Sequence, residues 1–167
     1  MPLTRKSKII LPIAFGAFAL DRLTKLLIIE RLELYRSVGV VEGFFDITHV
    51  RNTGAAFSFL AYLDESYRVP FFVVTSLAAI GLLLFFVKET RPGETLLLAA
   101  LALIMGGAMG NLTDRLLYGN VVDFIDWHVG GHHWPAFNIA DSCITVGVIL
   151  LGFELLFKGK MADVDKQ

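Results

Sequence analysis

Two aspartates, Asp123 and Asp141, lie in apolar surroundings where an isolated carboxylate is poorly solvated. Asp123 stands within 121–125 (VVDFI), and Asp141 lies near the start of the apolar run 137–157, eighteen residues further on. Two carboxylates within reach of one water cannot easily both ionise, so one holds a proton while the other acts as a base. The pair suggests aspartic-peptidase chemistry, in which the base activates water and the acid protonates the carbonyl oxygen or the leaving amine.

Each of these acids also has a purely structural explanation. Asp141 would cap a helix or balance its dipole, and Asp123 would be a strand residue that points to water. Asp126 and Asp114 compete with Asp123 for the same role, although Asp114 adjoins Arg115 and is a candidate for a local ion pair. Spacing alone leaves these alternatives open.

Polar and small residues accompany the two acids. Asn111 and Arg115 are four residues apart, so both side chains can face one side of a helix end. Arg115 would bind a carbonyl, a phosphate or an acid there, or anchor the chain at the interface. The run 106–111 (GGAMGN) allows either close helix packing or a ligand groove, and 52–57 (NTGAAF) is a turn followed by small residues.

A second charged pair, Asp21 and Lys25, lies in the first apolar segment. An acid and a base four residues apart share one face of a helix and neutralise each other. We therefore expect a structural ion pair near the outer interface, with direct substrate contact as the alternative. Arg22 lies off that face and is expected to reach the lipid headgroups.

Other chemistries find less support in the sequence. The three histidines in 128–133 lack the H-E-x-x-H spacing of a metallopeptidase, and Cys143 has no base beside it to activate a thiolate. No serine has a G-x-S-x-G context. We predict neither a metal nor a cofactor.

The elements that position these residues are apolar segments long enough to cross a bilayer. Of 167 residues, 55% are hydrophobic and 19% charged, which is more apolar than a typical soluble domain. A helix of about 20 residues crosses the roughly 30 Å hydrocarbon core. We predict four spans in a single domain, with Pro70 in the first turn of the second span. They cover about 9–29, 69–87, 95–113 and 136–157.

Positive charge predicts the orientation of these spans. Eight of the 15 Lys and Arg residues lie in the N-terminal tail, the link 88–94 and the C-terminal tail, which places both termini in the cytoplasm. The loops 30–68 and 114–135 then face the periplasm or outer surface. The net charge of −1 gives no general attraction to nucleic acid.

The first segment and the first long loop need separate consideration. Basic residues within 5–8, a short apolar run and Ala-Phe-Ala at 17–19 also match a cleavable signal peptide, but apolar character resumes at 26–29, which favours a retained span. Loosely alternating apolar residues in 30–68, interrupted by Gly39 and Gly43, predict short strands. We expect a small sheet on the membrane surface beside a short helix or loop around 60–68.

Four blocks of the sequence resemble the signature of the lipoprotein signal peptidase (type II signal peptidase) family. The blocks are 52–58 (NTGAAFS), 106–115 (GGAMGNLTDR), 121–124 (VVDF) and 137–142 (FNIADS). They occur in the family's order, Asp21 with Lys25 also matches, and the resemblance covers nearly the whole chain.

The resemblance implies residue roles that spacing does not establish. The catalytic aspartates of the family fall on Asp123 and Asp141, and its supporting charged residues fall on Asp21 and Lys25. The positions that the family uses to bind substrate fall on Asn52, Gly54, Asn111, Arg115, Asn138 and Ala140.

The resemblance also implies a substrate, an inhibitor and a fold. The substrate is a prolipoprotein that carries diacylglycerol on its lipobox cysteine, and a metal-free aspartic endopeptidase cuts just before that cysteine. The expected inhibitor is the cyclic peptide globomycin, and the expected partners of the monomer are this substrate and membrane lipids. The implied fold is an α-helical integral membrane protein of the bacterial inner membrane. It has four transmembrane helices, a small periplasmic β-cradle, a short periplasmic helix and an active site at the periplasmic face.

Two other function classes stay open. A small transporter or proton-conducting protein would use Asp141 and Lys25 as relay groups near the bilayer midplane. A non-enzymatic assembly factor would use the glycine-rich face and would tolerate Asp123→Asn. The crowding of the acids near the outer interface favours chemistry at the membrane surface.

Overall fold

The computed structural model describes residues 4–54 and 63–164, which form four long helices and one small sheet. The helices are α1 (Arg5–Arg31), α2 (Glu65–Glu89), α3 (Thr95–Tyr118) and α4 (Ile139–Val164). The strands are β1 (Ser37–Val41), β2 (Phe45–Asn52), β3 (Val121–Val129) and β4 (His132–His133). The sheet residues therefore come from the two segments predicted to lie outside the spans.

The helices extend beyond the apolar segments that predicted them. α2 begins at Glu65, where the Asp64 side chain caps it by accepting a hydrogen bond from the backbone N–H of Ser66 at 2.9 Å. The prediction that Pro70 lies in the first turn was therefore wrong, because Pro70 lies in the second. α3 continues beyond residue 113 and ends at Tyr118, where it is capped by Gly119, whose φ of 70° is left-handed. Hydropathy marks the part of a helix suited to hydrocarbon, whereas backbone hydrogen bonding continues into the polar interface.

Among the described residues, three helices are long and apolar enough to cross a membrane. They are α2, α3 and the stretch Ile139–Leu156 of α4. α1 is 27 residues long but carries Asp21, Arg22 and Lys25 in its second half. Its place as a fourth span and the cytoplasmic position of both termini stay predictions.

α3 is the central helix and contacts each of the other three. Its glycines allow close approach, because a Cβ at Gly106 would collide with the backbone of Ala14 in α1. A Cβ at Gly107 would likewise collide with the backbone of Ala140 in α4. Of the two explanations for the glycine-rich run, close helix packing is the one that the structure supports.

The sheet is antiparallel throughout, in the order β1-β2-β3-β4, which confirms the strands predicted in 30–68. The pairing of β2 with β3 sets Val50 opposite Asp123 and Phe45 opposite Trp127. The short helix or loop predicted around 60–68 lies partly outside the described residues, and its last four residues belong to the start of α2.

Candidate active site

A cavity of ≈ 790 Å³ opens where α3, the start of α4 and the sheet meet. Asp123 on β3 and Asp141 on α4 both line it. Four of the predicted substrate-binding residues also line it, namely Asn52, Gly54, Asn111 and Arg115. Much of the remaining wall is apolar or aromatic and includes Trp127, Trp134, Phe137, Ile144 and Val146.

Asp123 lies on a strand, as the structural explanation predicted. It does not point to water, because it is only 2% exposed. One carboxyl oxygen accepts a hydrogen bond from Nδ2 of Asn138 at 2.7 Å, and the other accepts one from Nδ2 of Asn52 at 3.0 Å. The pairing of β2 with β3 brings Asn52 into reach. Because each oxygen has its own amide donor, the carboxyl group is held in one orientation.

The surroundings of Asp123 favour its protonated form. Its pKa is raised to about 7, chiefly because burial disfavours the charged carboxylate and secondly because Asp141 adds negative charge nearby. The hydrogen bonds from Asn52 and Asn138 and the positive charge of Lys25 act in the opposite direction. Asp123 therefore keeps a proton at pH values where an ordinary aspartate has lost it.

Asp141 takes part in a capping box at the start of α4. Its backbone N–H donates to Oδ1 of Asn138 at 2.9 Å, and the backbone N–H of Asn138 donates to Oδ2 of Asp141 at 3.2 Å. The other oxygen of Asp141 accepts a hydrogen bond from Nδ2 of Asn111 at 2.8 Å. The capping explanation is thus correct, and the same geometry places the carboxylate on the cavity wall.

Asn138 connects the two aspartates. Its side chain is fully buried, its amide nitrogen donates to Asp123, and its amide oxygen accepts from the backbone of Asp141. Nδ2 also lies 3.2 Å from the carbonyl oxygen of Val122 and from Oδ1 of Asn111. A single side chain therefore fixes the relative placement of both carboxyl groups.

The predicted pair Asp21–Lys25 is present and lies inside the protein. Nζ of Lys25 is 2.9 Å from Oδ2 of Asp21 and 2.9 Å from Oδ2 of Asp114, and all three side chains are fully buried. The same ammonium donates to Oδ1 of Asn111 at 3.0 Å. Because a lysine can only donate, this contact turns the amide nitrogen of Asn111 towards Asp141.

Two charged residues lie elsewhere than expected. Asp114 pairs with Lys25 and Arg22 of α1 instead of forming the local pair with Arg115. Arg22 consequently turns into the protein, and the prediction that it reaches the headgroups was wrong. Helical periodicity carries the signal that was missed, since Asn111 and Asp114 are three residues apart on one face of α3.

The remaining candidates occupy distinct places. Asp126 lies outside the cavity lining and accepts a hydrogen bond from His133 at 2.9 Å. Ala140 is fully buried, and its backbone N–H donates to Oδ1 of Asp21 at 2.9 Å. It lies outside the cavity lining. The guanidinium of Arg115 lies 4.9 Å from the centre of the Phe72 ring while it lines the cavity.

Two tryptophans on the cavity wall were not predicted from the sequence. Trp127 and Trp134 both line the cavity, and the Trp127 ring meets Phe137 edge-on at 5.0 Å. Their spacing in the sequence could have indicated that they are neighbours in a hairpin. Trp127 lies three residues before Gly130, and Trp134 lies three residues after Gly131.

Comparison with known proteins identifies the family. The family model described as signal peptidase (SPase) II matches residues 13–157, which include every predicted site residue. The chain belongs to the signal peptidase II family. The resemblance seen in the sequence is therefore confirmed.

Relatives and solved structures agree with the signal peptidase II assignment. The lipoprotein signal peptidases of Geobacter sulfurreducens and Syntrophotalea carbinolica are each 49% identical over 144 residues, covering 86% of this chain and 89% and 88% of theirs. A bacterial membrane enzyme solved by the in meso method at 2.3 Å resolution has a TM-score of 0.80 at 36% identity, covering 89% of this chain and 88% of its own. Another, at 1.9 Å, has a TM-score of 0.77 at 37% identity, covering 87% and 91%.

Proposed function

We propose that the chain is a membrane aspartic endopeptidase that removes the signal peptide from diacylglyceryl-modified prolipoproteins, cutting just before the lipidated cysteine. The observation that carries the proposal is the arrangement of Asp123 and Asp141. They are two carboxyl groups on one cavity wall, and both are tied to Asn138. Membership of the signal peptidase II family supplies the substrate class.

The two carboxyl groups have different roles in this mechanism. Asp141, whose oxygens accept hydrogen bonds from Asn111 and from the backbone of Asn138, takes a proton from a water molecule. The oxygen of that water bonds to the carbonyl carbon of the residue before the lipidated cysteine, while Asp123 gives its proton to the carbonyl oxygen. Asp141 then gives the proton that it took from water to the cysteine nitrogen, the C–N bond breaks and the cysteine leaves as a free amine. Asp123 regains a proton from one hydroxyl of the tetrahedral intermediate as the new carboxyl group forms.

The cavity wall suits a substrate with both a peptide and a lipid part. Arg115 and Asn52 offer N–H donors beside the dyad, which suits carbonyl oxygens of an extended backbone. Apolar side chains on the wall, among them Ile144 and Val146, suit acyl chains that stay in the bilayer. Globomycin is proposed to occupy the same cavity.

The proposal places the protein as a monomer in the inner membrane with four spans, both termini in the cytoplasm and the cavity at the periplasmic face. α1 supports this because Asp21, Arg22 and Lys25 pair inside the protein. Leucines occupy exposed positions on the same helix, with Leu23 60% and Leu27 53% exposed. The charges of α1 therefore do not oppose insertion as isolated charges would.

The proposal is tested with purified protein and a synthetic prolipoprotein peptide that carries diacylglycerol on its cysteine. Mass spectrometry should find a product that ends at the residue before the modified cysteine, and no product from the same peptide with a free thiol. EDTA should leave the rate unchanged, because the aspartates activate the water themselves. Cleavage at another bond, or equal cleavage of both peptides, would contradict the substrate assignment.

A further inference from the structure

Arg51 is a charged residue of the cavity wall that has no part in the proposed cleavage chemistry. It lies on β2 beside Asn52, whose side chain donates to Asp123. Across the sheet it pairs with Val122, which precedes Asp123 on β3. Arg51 is therefore one position away from the groups that hold the acid of the dyad, and its side chain lines the same cavity.

The guanidinium of Arg51 is oriented by its neighbours but keeps most of its hydrogen-bonding capacity. Its Cζ lies 4.8 Å from the centre of the Tyr118 ring, a cation–π contact. One N–H donates to Oδ1 of Asn120 at 3.4 Å, which is longer than a typical hydrogen bond. Because an arginine carries five N–H donors in a planar fork, the others remain available for a ligand.

Arg51 has no counter-charge in the part of the chain that the structure describes, where no carboxylate lies within ion-pair distance of it. The stretch 55–62, which lies outside the described residues, contains no Asp or Glu. The other charged residues of the cavity lining are Arg115, Asp123 and Asp141, and the two acids act electrostatically on Arg115. The pKa of Asp123 is raised to about 7, so below that pH the wall carries two positive charges and one negative charge. Arg51 is the cation that lacks an anion.

The contact with Tyr118 places Arg51 at the end of α3 where the chain turns into the sheet. Tyr118 is the last residue of α3, three residues beyond Arg115, and β3 begins at Val121. In the proposed reaction, the signal peptide and the acyl chains are apolar and stay in the bilayer. The residues after the lipidated cysteine are the part of the substrate that leads into water, so they leave the cavity on the side of the sheet and of Arg51.

We propose that Arg51 is a specificity-determining residue that binds a carboxylate side chain among the first few residues after the lipidated cysteine. This inference rests on the proposed function, because the cleaved bond defines that segment. A carboxylate can accept two parallel hydrogen bonds from one guanidinium, and it supplies the negative charge that the cavity wall lacks. The chain therefore prefers prolipoproteins with Asp or Glu in that segment.

Diacylglyceryl-modified peptides that differ at one position test this preference. Asp, Asn or Lys is placed at the second, third or fourth residue after the cysteine, and kcat/KM is measured in an uncharged detergent. At one or more of these positions the wild type should cleave the Asp peptide roughly three- to tenfold faster than the Asn peptide, and the Lys peptide should be the slowest. Arg51→Gln should remove the preference, and Arg51→Glu should reverse it in favour of Lys. Because each ratio is taken within one variant, it does not depend on how much of that variant is folded.

Arg36→Gln and Arg36→Glu are the matched controls, because they change the net charge equally. The Arg36 side chain is 72% exposed, lies 3.5 Å from Glu33 and is outside the cavity lining, so both variants should keep the wild-type ratios. A wild-type enzyme that cleaves the Asp and Asn peptides equally at all three positions overturns the inference, as do wild-type ratios in Arg51→Gln. In either case the cleavage itself still upholds the proposed function, whereas a wild type that cleaves none of the peptides overturns both.

A comparison of lipids separates a substrate carboxylate from a lipid phosphate. The same rates are measured in vesicles of phosphatidylcholine alone and in vesicles that also contain phosphatidylglycerol. The preference for the Asp peptide should be present in phosphatidylcholine alone. The inference is overturned if Arg51→Gln slows all three peptides equally and only when phosphatidylglycerol is present, because the guanidinium then binds a lipid headgroup.

Discussion

At the scale of single residues, the protonation of the dyad depends on how each carboxyl group is surrounded. Asp123 is buried beside a second acid, and the two amide donors that it receives do not offset that burial. Asp141 lies at a helix start, with N–H donors on both oxygens. These surroundings support Asp123 as the acid and Asp141 as the base, an order that the sequence did not establish.

The pH dependence of cleavage should report the proton on Asp123. We expect kcat/KM to fall as pH rises through about 7, because the pKa of Asp123 is raised to about 7 and the acid must be protonated to act. Asn52→Ala removes a hydrogen bond that lowers this pKa, so the falling limb should move to higher pH even though the rate drops.

Asn120→Ala is the matched control for this pH experiment. Asn120 donates to the carbonyl oxygen of Tyr118, accepts a hydrogen bond from Arg51 at 3.4 Å and lies outside the cavity lining. Neither contact involves Asp123, so Asn120→Ala should leave the falling limb of the pH profile in place. Two results would show that Asp123 is not the titrating acid. One is a kcat/KM that does not change as pH rises through about 7, and the other is a falling limb that Asn52→Ala does not move to higher pH.

At the scale of elements, the position of Asp141 depends on how closely α4 packs against α3. The first turn of α4 is held by the bond from the N–H of Ala140 to Asp21 and by its contact with Gly107. A shift of α4 would move the carboxylate of Asp141 away from Asn111, since the two sit on different helices.

Gly107→Ala should therefore impair both stability and cleavage. Its Cβ would meet the backbone of Ala140 and lie 2.9 Å from Ile144, and such overpacking costs on the order of 1–3 kcal/mol. Gly81→Ala on α2 is the control, because nothing lies within 4 Å of its Cβ. Thermal unfolding in detergent and the cleavage rate should separate the two variants, and equal behaviour would contradict the packing account.

At the scale of the whole molecule, the site draws its polar groups from five elements. Asn52 comes from β2, Asp123 from β3 and Asp141 from α4, whereas Asn111 belongs to α3 and Lys25 to α1. Among the described residues, the capping box and the Asp21–Lys25 pair are local in sequence. The other pairs that carry the site join different helices and strands. The helices and the sheet are therefore both required to bring the two aspartates to one cavity.

Much of this organisation was predictable from the sequence. Apolar segment lengths predicted the helices, alternation predicted the strands before residue 52, and the blocks around Asp123 and Asp141 predicted the family. The helix ends were less predictable, because Asp114 and Arg115 interrupt hydropathy without interrupting the helix. The link from Lys25 to Asp114 was missed because it depends on how α1 packs against α3.

The family resemblance distinguished Asp123 from Asp126, whereas the physical reason for that choice needed the structure. They are three positions apart, so an unbroken strand turns them to opposite faces, but their spacing does not say which face meets the helices. The pairing of β3 with β2 settles this by placing Asp123 beside Asn52 and leaving Asp126 with His133. Asp126 is consequently the natural control for the dyad.

The central claim is tested most directly by the cleavage rates of Asp123→Asn, Asp141→Asn and Asp126→Asn on a diacylglyceryl-modified substrate. Asparagine preserves size but can neither accept nor hold the required proton, so the first two variants should lose roughly 10²- to 10⁴-fold in rate, or more. Asp126→Asn should cleave at the wild-type rate. Wild-type cleavage by Asp123→Asn or Asp141→Asn would remove that residue from the dyad and contradict the account.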